Sequence, residues 1–341
     1  MSSNIGSWVN GRALVLSLSG LTFCLGANAA SCKTQSQISS AQRDVLSITA
    51  HSLMDKIQAG DVTSLQQNTI ATVAADFSGV ADTVDTLKPL VKQAVITIDG
   101  LYLLDASGDA ASSGRMDFYC GSPLVVLEFN ELPAGTYALV LLHATGVPEP
   151  QQISFMLSET GDRKWELAGV FSRPMIEAYH DGLWYWRSAR KFAEKKLNWT
   201  AWFYYQTAVY LLQPVAFISS PNLQKLQQEG NQLRPIDIPG TEPLKLAGSG
   251  SVFQLTSIDT TAALGELDLD VHFTPDPLQA NELKDPPTAR KQVTAVMIAL
   301  LKLHPELQEA FHGIWVHADG GTGSLFSLEL PMGDITSQDS L

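Results

Sequence analysis

Near Ala94 the hydrophobic period of this chain changes, and that change limits the fold more than any other feature of the sequence. Before it, residues 37–59 place Val45, Ile48, Leu53, Met54 and Ile57 at helical spacing and stop at Gly60. Residues 64–75, with Leu65, Ile70 and Val73, predict a second helix. Val80, Val84, Leu87 and Val91 predict a third, which Pro89 is expected to bend or shorten. After Ala94, β-rich runs cover 94–105, 116–130, 136–144, 151–158 and 164–172. Turn residues separate them, as in Pro133-Ala134-Gly135 and Pro148-Glu149-Pro150. Helices followed by a meander must bury their stripes on the sheet. The expected class is α+β, with N-terminal helices packed on a curved antiparallel sheet over 36–174.

The N-terminus predicts a compartment. Arg12 precedes the apolar run Ala13 to Gly26, and Ala27-Asn28-Ala29-Ala30 follows. A positive charge, a short apolar core and small residues at a cleavage site predict a secretory signal peptide over 1–30 and a periplasmic or extracellular protein. Cys24 lies in the apolar core and leaves with the leader, so Cys32 and Cys120 are the mature cysteines. Two readings compete for Cys32. An oxidising compartment favours a disulfide with Cys120. Ala29-Ala30-Ser31-Cys32 instead resembles a bacterial lipoprotein box, which implies acylation of Cys32 and membrane attachment through that lipid anchor alone.

A formal net charge of −13 argues against nucleic acid as a partner, because an acidic surface repels phosphate. Hydrophobic content of 45% with 17% charged residues describes a globular chain with a substantial core.

Residues 175–230 predict a helical hairpin, 182–196 and 199–213, then a short helix signalled by Ser220, Pro221 and Gly230. Residues 231–250 carry Pro235, Pro239, Gly240 and Pro243, which is linker composition. Residues 251–331 predict a C-terminal ββαββ unit, and 332–341 a flexible tail.

Two resemblances bear on these segments. The three helices and the strands ending in Lys164-Trp165-Glu166-Leu167-Ala168-Gly169-Val170-Phe171 resemble the nuclear transport factor two-like superfamily. That resemblance implies a cone-shaped sheet around the helices; members include enzymes, ligand binders and dimerisation modules. Tyr185, Ala189, Phe192, Ala201, Tyr205 and Ala208 resemble a single tetratricopeptide unit, which implies that the hairpin must pack on another part of the chain.

Candidate binding residues fall into two groups. Asp117, Tyr119 and His143 sit on strands of the first domain, where a cone pocket would desolvate a carboxylate. Trp184, Trp186, Trp199 and Trp202 crowd the hairpin, where rings either anchor a ligand or partner or fill the core. Arg187, Arg190, Lys191 and Lys195 on the first hairpin helix read as a solvated, charge-paired face. His312, His317 and Asp319 lie close in sequence, and His304 is nearby, but the sequence shows no third metal ligand at a known spacing. No metal and no cofactor are therefore expected. No G-x-S-x-G elbow occurs. The function expected is an exported, non-catalytic envelope protein that binds a small ligand or a protein partner. The alternatives are a hydrolase or isomerase using the cone pocket, and a structural module anchored at Cys32.

Overall fold

The computed structural model describes residues 30–108, 114–121, 124–248, 251–321 and 323–339. The predicted signal peptide and Cys24 lie outside them, apart from Ala30. The chain begins with β1 (Ser31–Thr34), α1 (Ser40–Ala59), α2 (Val62–Gln67), α3 (Ala71–Ala75) and α4 (Ser78–Val91). Pro89 sits in the last turn of α4 and does not shorten it. There follow β2 (Val95–Asp105), β3 (Arg115–Cys120), β4 (Val125–Asn130), β5 (Thr136–Thr145), β6 (Gln151–Thr160) and β7 (Lys164–Pro174). The run expected over 116–130 is thus two strands, paired antiparallel from Arg115↔Asn130 to Cys120↔Val125.

Strands β1-β2-β5-β6-β7 form one antiparallel sheet. Its face built from Leu101, Leu103, Val140, Leu142, Ile153 and Phe155 packs on Leu46, Leu53, Met54, Ile57, Val84 and Leu87 of the helices. The opposite face, with Leu104, Tyr137, Leu139 and Met156, is covered by Met116, Phe118 and Leu127 of the smaller sheet. Both faces are buried, which explains why β5 is an almost unbroken apolar run. Cys32 and Cys120 are joined in a disulfide, with Cα atoms 5.1 Å apart, tying β1 to β3. This bond uses the Cys32 sulfur that acylation would need, so the lipid-anchor reading fails in this structure.

The hairpin β8 (Ile176–Glu177) and β9 (His180–Asp181) leads into α5 (Gly182–Glu194) and α6 (Asn198–Leu212). Asp181 caps α5 by accepting from the Trp184 amide at 2.7 Å. Gly182 lets the helices approach; a Cβ there would lie 2.5 Å from Leu212 Cγ. Then come β10 (Ile218–Ser219), which completes the sheet β10-β4-β3, and α7 (Pro221–Gln232), capped by Ser220.

The last part differs from the ββαββ expectation. β11 (Leu244–Gly248) lies inside the segment expected to be linker, and it pairs with β12 (Ser251–Thr261). Leu246 is buried, so one alternating face draws this segment into the sheet despite its prolines upstream. β13 (Asp268–Thr274), α8 (Pro277–Glu282), α9 (Pro286–Leu303), β14 (Gly313–Gly320) and β15 (Gly323–Pro331) follow. The sheet order is β11-β12-β13-β14-β15, antiparallel except for β13 beside β14, which the helical crossover makes parallel. The expected tail is α10 (Met332–Asp339); buried Met332 and Ile335 hold it.

Leu255, Ile258, Leu269, Val271, Phe273, Ile314 and Val316 share one core with Val293, Met297 and Leu300 of α9 and with Tyr185, Trp199, Phe203 and Tyr205 of the hairpin. The hairpin and the C-terminal sheet are therefore one packed body.

Candidate metal centre

Strand alternation makes a second, polar face on the C-terminal sheet. Leu269, Val271 and Phe273 point into the core, so Asp268, Asp270 and His272 point the other way. On β14 the same rule turns Ile314, Val316 and Ala318 inward and Trp315, His317 and Asp319 outward. The parallel register sets Asp270 opposite Trp315 and His272 opposite His317. On β15, Ser327 faces His317 and Glu329 faces Trp315.

Asp270, His272 and His317 each bring one donor atom within 4.8 Å of the others. Asp270 Oδ1 lies 3.1 Å from His317 Nε2 and 3.5 Å from His272 Nε2. Donors held 2.0–2.1 Å from a tetrahedral ion sit about 3.3–3.4 Å apart, so these spacings suit such an ion. The imidazoles are stacked, with centroids 4.6 Å apart, and Trp315 backs His317 at 4.9 Å.

Outer hydrogen bonds orient both rings. His272 Nδ1 lies 2.8 Å from Asp319 Oδ2, and a carboxylate only accepts, so Nδ1 carries the proton. His317 Nδ1 lies 2.8 Å from Ser327 Oγ. Ser324 Oγ lies 2.9 Å from Ser327 Oγ and within hydrogen-bond reach of the carbonyl oxygens of Ala318 and Phe326. Both Nε2 atoms face the same carboxylate oxygen of Asp270. Asp270 Oδ1 is shielded from solvent and has no hydrogen-bond partner among the described residues. Three groups able to donate an electron pair thus converge on one point, an arrangement that could hold a cation. Burial also pushes the His317 imidazole below its ordinary pKa, which favours the neutral form that ligates metals. Burial and then Asp270 push Asp259, on the neighbouring strand, upward.

Beside this cluster, Asp268, His312 and Glu329 also bring donor atoms within 4.8 Å of one another. His312 Nδ1 is 3.0 Å from Asp268 Oδ1 and 4.0 Å from Glu329 Oε1.

The residues singled out from sequence are dispersed. Asp117 and Tyr119 lie on the exposed face of β3, where Arg115 bridges Asp117 at 3.0 Å and Glu128 at 2.9 Å. His143 lies 3.9 Å from Asp99 and lines a cavity of about 360 Å³ with Gln152, Asp181 and Leu183. Trp199 is buried, donates to Asp237 at 3.1 Å and stacks on His304 at 3.8 Å. Trp186 donates to Glu229 at 2.8 Å beneath Arg190, and Trp202 packs on the core. Trp184 is the most exposed of the four and stacks on His180 at 3.6 Å. The sequence alone did not bring Asp270 and His272 to His317. The alternation Asp268-x-Asp270-x-His272 was the visible signal; which strand lies beside β14 was not visible.

No protein-family model, curated protein or solved structure matches the chain.

Proposed function

We propose that this chain is an exported binding protein that captures a divalent transition-metal ion on the polar face of its C-terminal sheet. The observation that carries the reading is the convergence of His272 Nε2 and His317 Nε2 on the solvent-shielded Asp270 Oδ1. Two imidazoles and one carboxylate suit zinc or a neighbouring first-row ion, with Asp319 and Ser327 fixing the rings from behind. Work in an oxidising compartment is supported by the Cys32–Cys120 bond. The order of helices and strands supports a nuclear transport factor two-like architecture for 36–174, and the packed α5–α6 hairpin supports a tetratricopeptide-like one.

An enzyme reading draws less support. Ser327 Oγ lies 2.8 Å from His317 Nδ1, but it is shared with Ser324 Oγ at 2.9 Å.

The test is titration calorimetry with zinc on chelator-stripped protein. Wild type should bind zinc, and His272→Ala with His317→Ala should weaken binding at least 100-fold. Asp319→Asn should weaken it about 10–100-fold, as outer partners of ligating histidines do. Undiminished zinc affinity in the double histidine variant would sink the reading.

A further inference from the structure

We propose that Asp268, His312 and Glu329 form a second, separate cation site on the same sheet face, one that prefers a harder divalent ion. Asp268 is 1% exposed, and its Oδ2 has no hydrogen-bond partner among the described residues. Glu329 Oε1 is likewise shielded and without a hydrogen-bond partner. A buried carboxylate oxygen left unpaired is costly, and two such oxygens in one small cluster compound that cost. Among the described residues, the ion pairs that either carboxylate makes are with His312 alone. Glu266 beside Asp268 and Asp334 beside Glu329 add negative charge instead of relieving it.

The backbone is shaped for this convergence. Gly313 immediately precedes the first parallel pair, Leu269↔Ile314, and a Cβ there would lie 2.6 Å from Glu329 Oε1 and 3.1 Å from Asp268 Oδ1. The missing side chain leaves room for the two carboxylates to approach each other. His312 is the exposed member, with 46% of its side chain accessible, and it gives an ion a route from solvent. The donor set differs from the neighbouring cluster, with two carboxylates and one imidazole against one carboxylate and two imidazoles. More oxygen favours a harder ion, so Mn²⁺ is the discriminating probe.

Mn²⁺ binding is read from the loss of the free aqueous ion's electron paramagnetic resonance signal on titration into full-length protein. Wild type should take up one equivalent of Mn²⁺. Glu329→Gln should weaken that uptake tenfold or more, and so should His312→Ala, which alters an exposed side chain and leaves the core intact. The His272→Ala, His317→Ala double variant should keep it within about twofold, a tolerance set by ordinary context effects. That separates this site from the zinc site, since each can fail without the other. Absence of Mn²⁺ uptake by wild type at 1 mM, about the weak end of protein sites for hard ions, would mean the two carboxyls merely share a proton. That outcome, or uptake unchanged in both Glu329→Gln and His312→Ala, overturns the proposal.

Discussion

Gly313 shows how much one residue can decide. Besides the carboxylates, an added Cβ would lie 2.7 Å from the carbonyl oxygen of Leu330, a backbone atom that cannot rotate away. Gly313→Ala should therefore destabilise the protein by about 1–3 kcal/mol, the usual cost of overpacking, seen as a lower urea midpoint. Glu177 is a second such residue. It lines a crevice of about 510 Å³ between α4, β7 and the β12–β13 turn, and burial pushes its carboxyl up to about 7. The unfolded chain gives up that proton near the ordinary value of 4.5, so the folded state holds it more tightly. The stabilisation is full below about 4.5 and is lost as pH rises through about 7. Thermal midpoints should fall across that window, and Glu177→Gln should flatten that part of the profile. A variant profile parallel to wild type would exclude Glu177 as the cause.

At the scale of elements, the hairpin is locked to α7 through one carboxylate. Glu229 accepts from Trp186 at 2.8 Å, from Arg190 Nε and Nη2 at 2.8 Å each, and from Tyr205 at 3.2 Å. Arg190 first, then the Trp186 and Tyr205 bonds, outweigh burial and pull Glu229 down to about 2. The stabilisation is present above about 4.5 and is lost as pH falls toward 2. Glu229→Ala should cost about 1.5–3 kcal/mol at neutral pH, the range for hydrogen bonds to a charged group. The difference from wild type should shrink on acidification, measured by urea unfolding at pH 7 and 3. The short helix was readable from sequence, because Ser220 is a cap and Pro221 sits in the first turn of α7. The buried surroundings of α6 were readable too, since apolar residues surround it. What covers it was not: Phe311 against Phe203 and Tyr204, and His304 against Trp199, come from a distant segment whose approach leaves no local pattern.

For the whole molecule, the Cys32–Cys120 bond closes a loop of sequence separation 88 around the first sheet and its helices. Reduction should lower stability by about 4–5 kcal/mol in the chain-entropy model, measured as the urea midpoint with and without reductant. An unchanged midpoint would show that packing alone holds β1 against β3. Intact mass should show a two-proton deficit that disappears on reduction.

The sequence by itself determined the α+β class and the pairing candidates among its cysteines, because period and turn residues are local properties of the chain. It did not reveal that 244–248 joins a sheet or that 332–339 is helical, since buried Leu246, Met332 and Ile335 acquire their role only from neighbours. Nor could it assemble the candidate metal centre. His317 and Asp319 were visible as a pair, but Asp270 and His272 reach them through the register of β13 on β14, across α8 and α9. Alternation along a strand says which side chains share a face. Only tertiary pairing says which strand stands beside it, and that pairing brings the two imidazoles to one carboxylate.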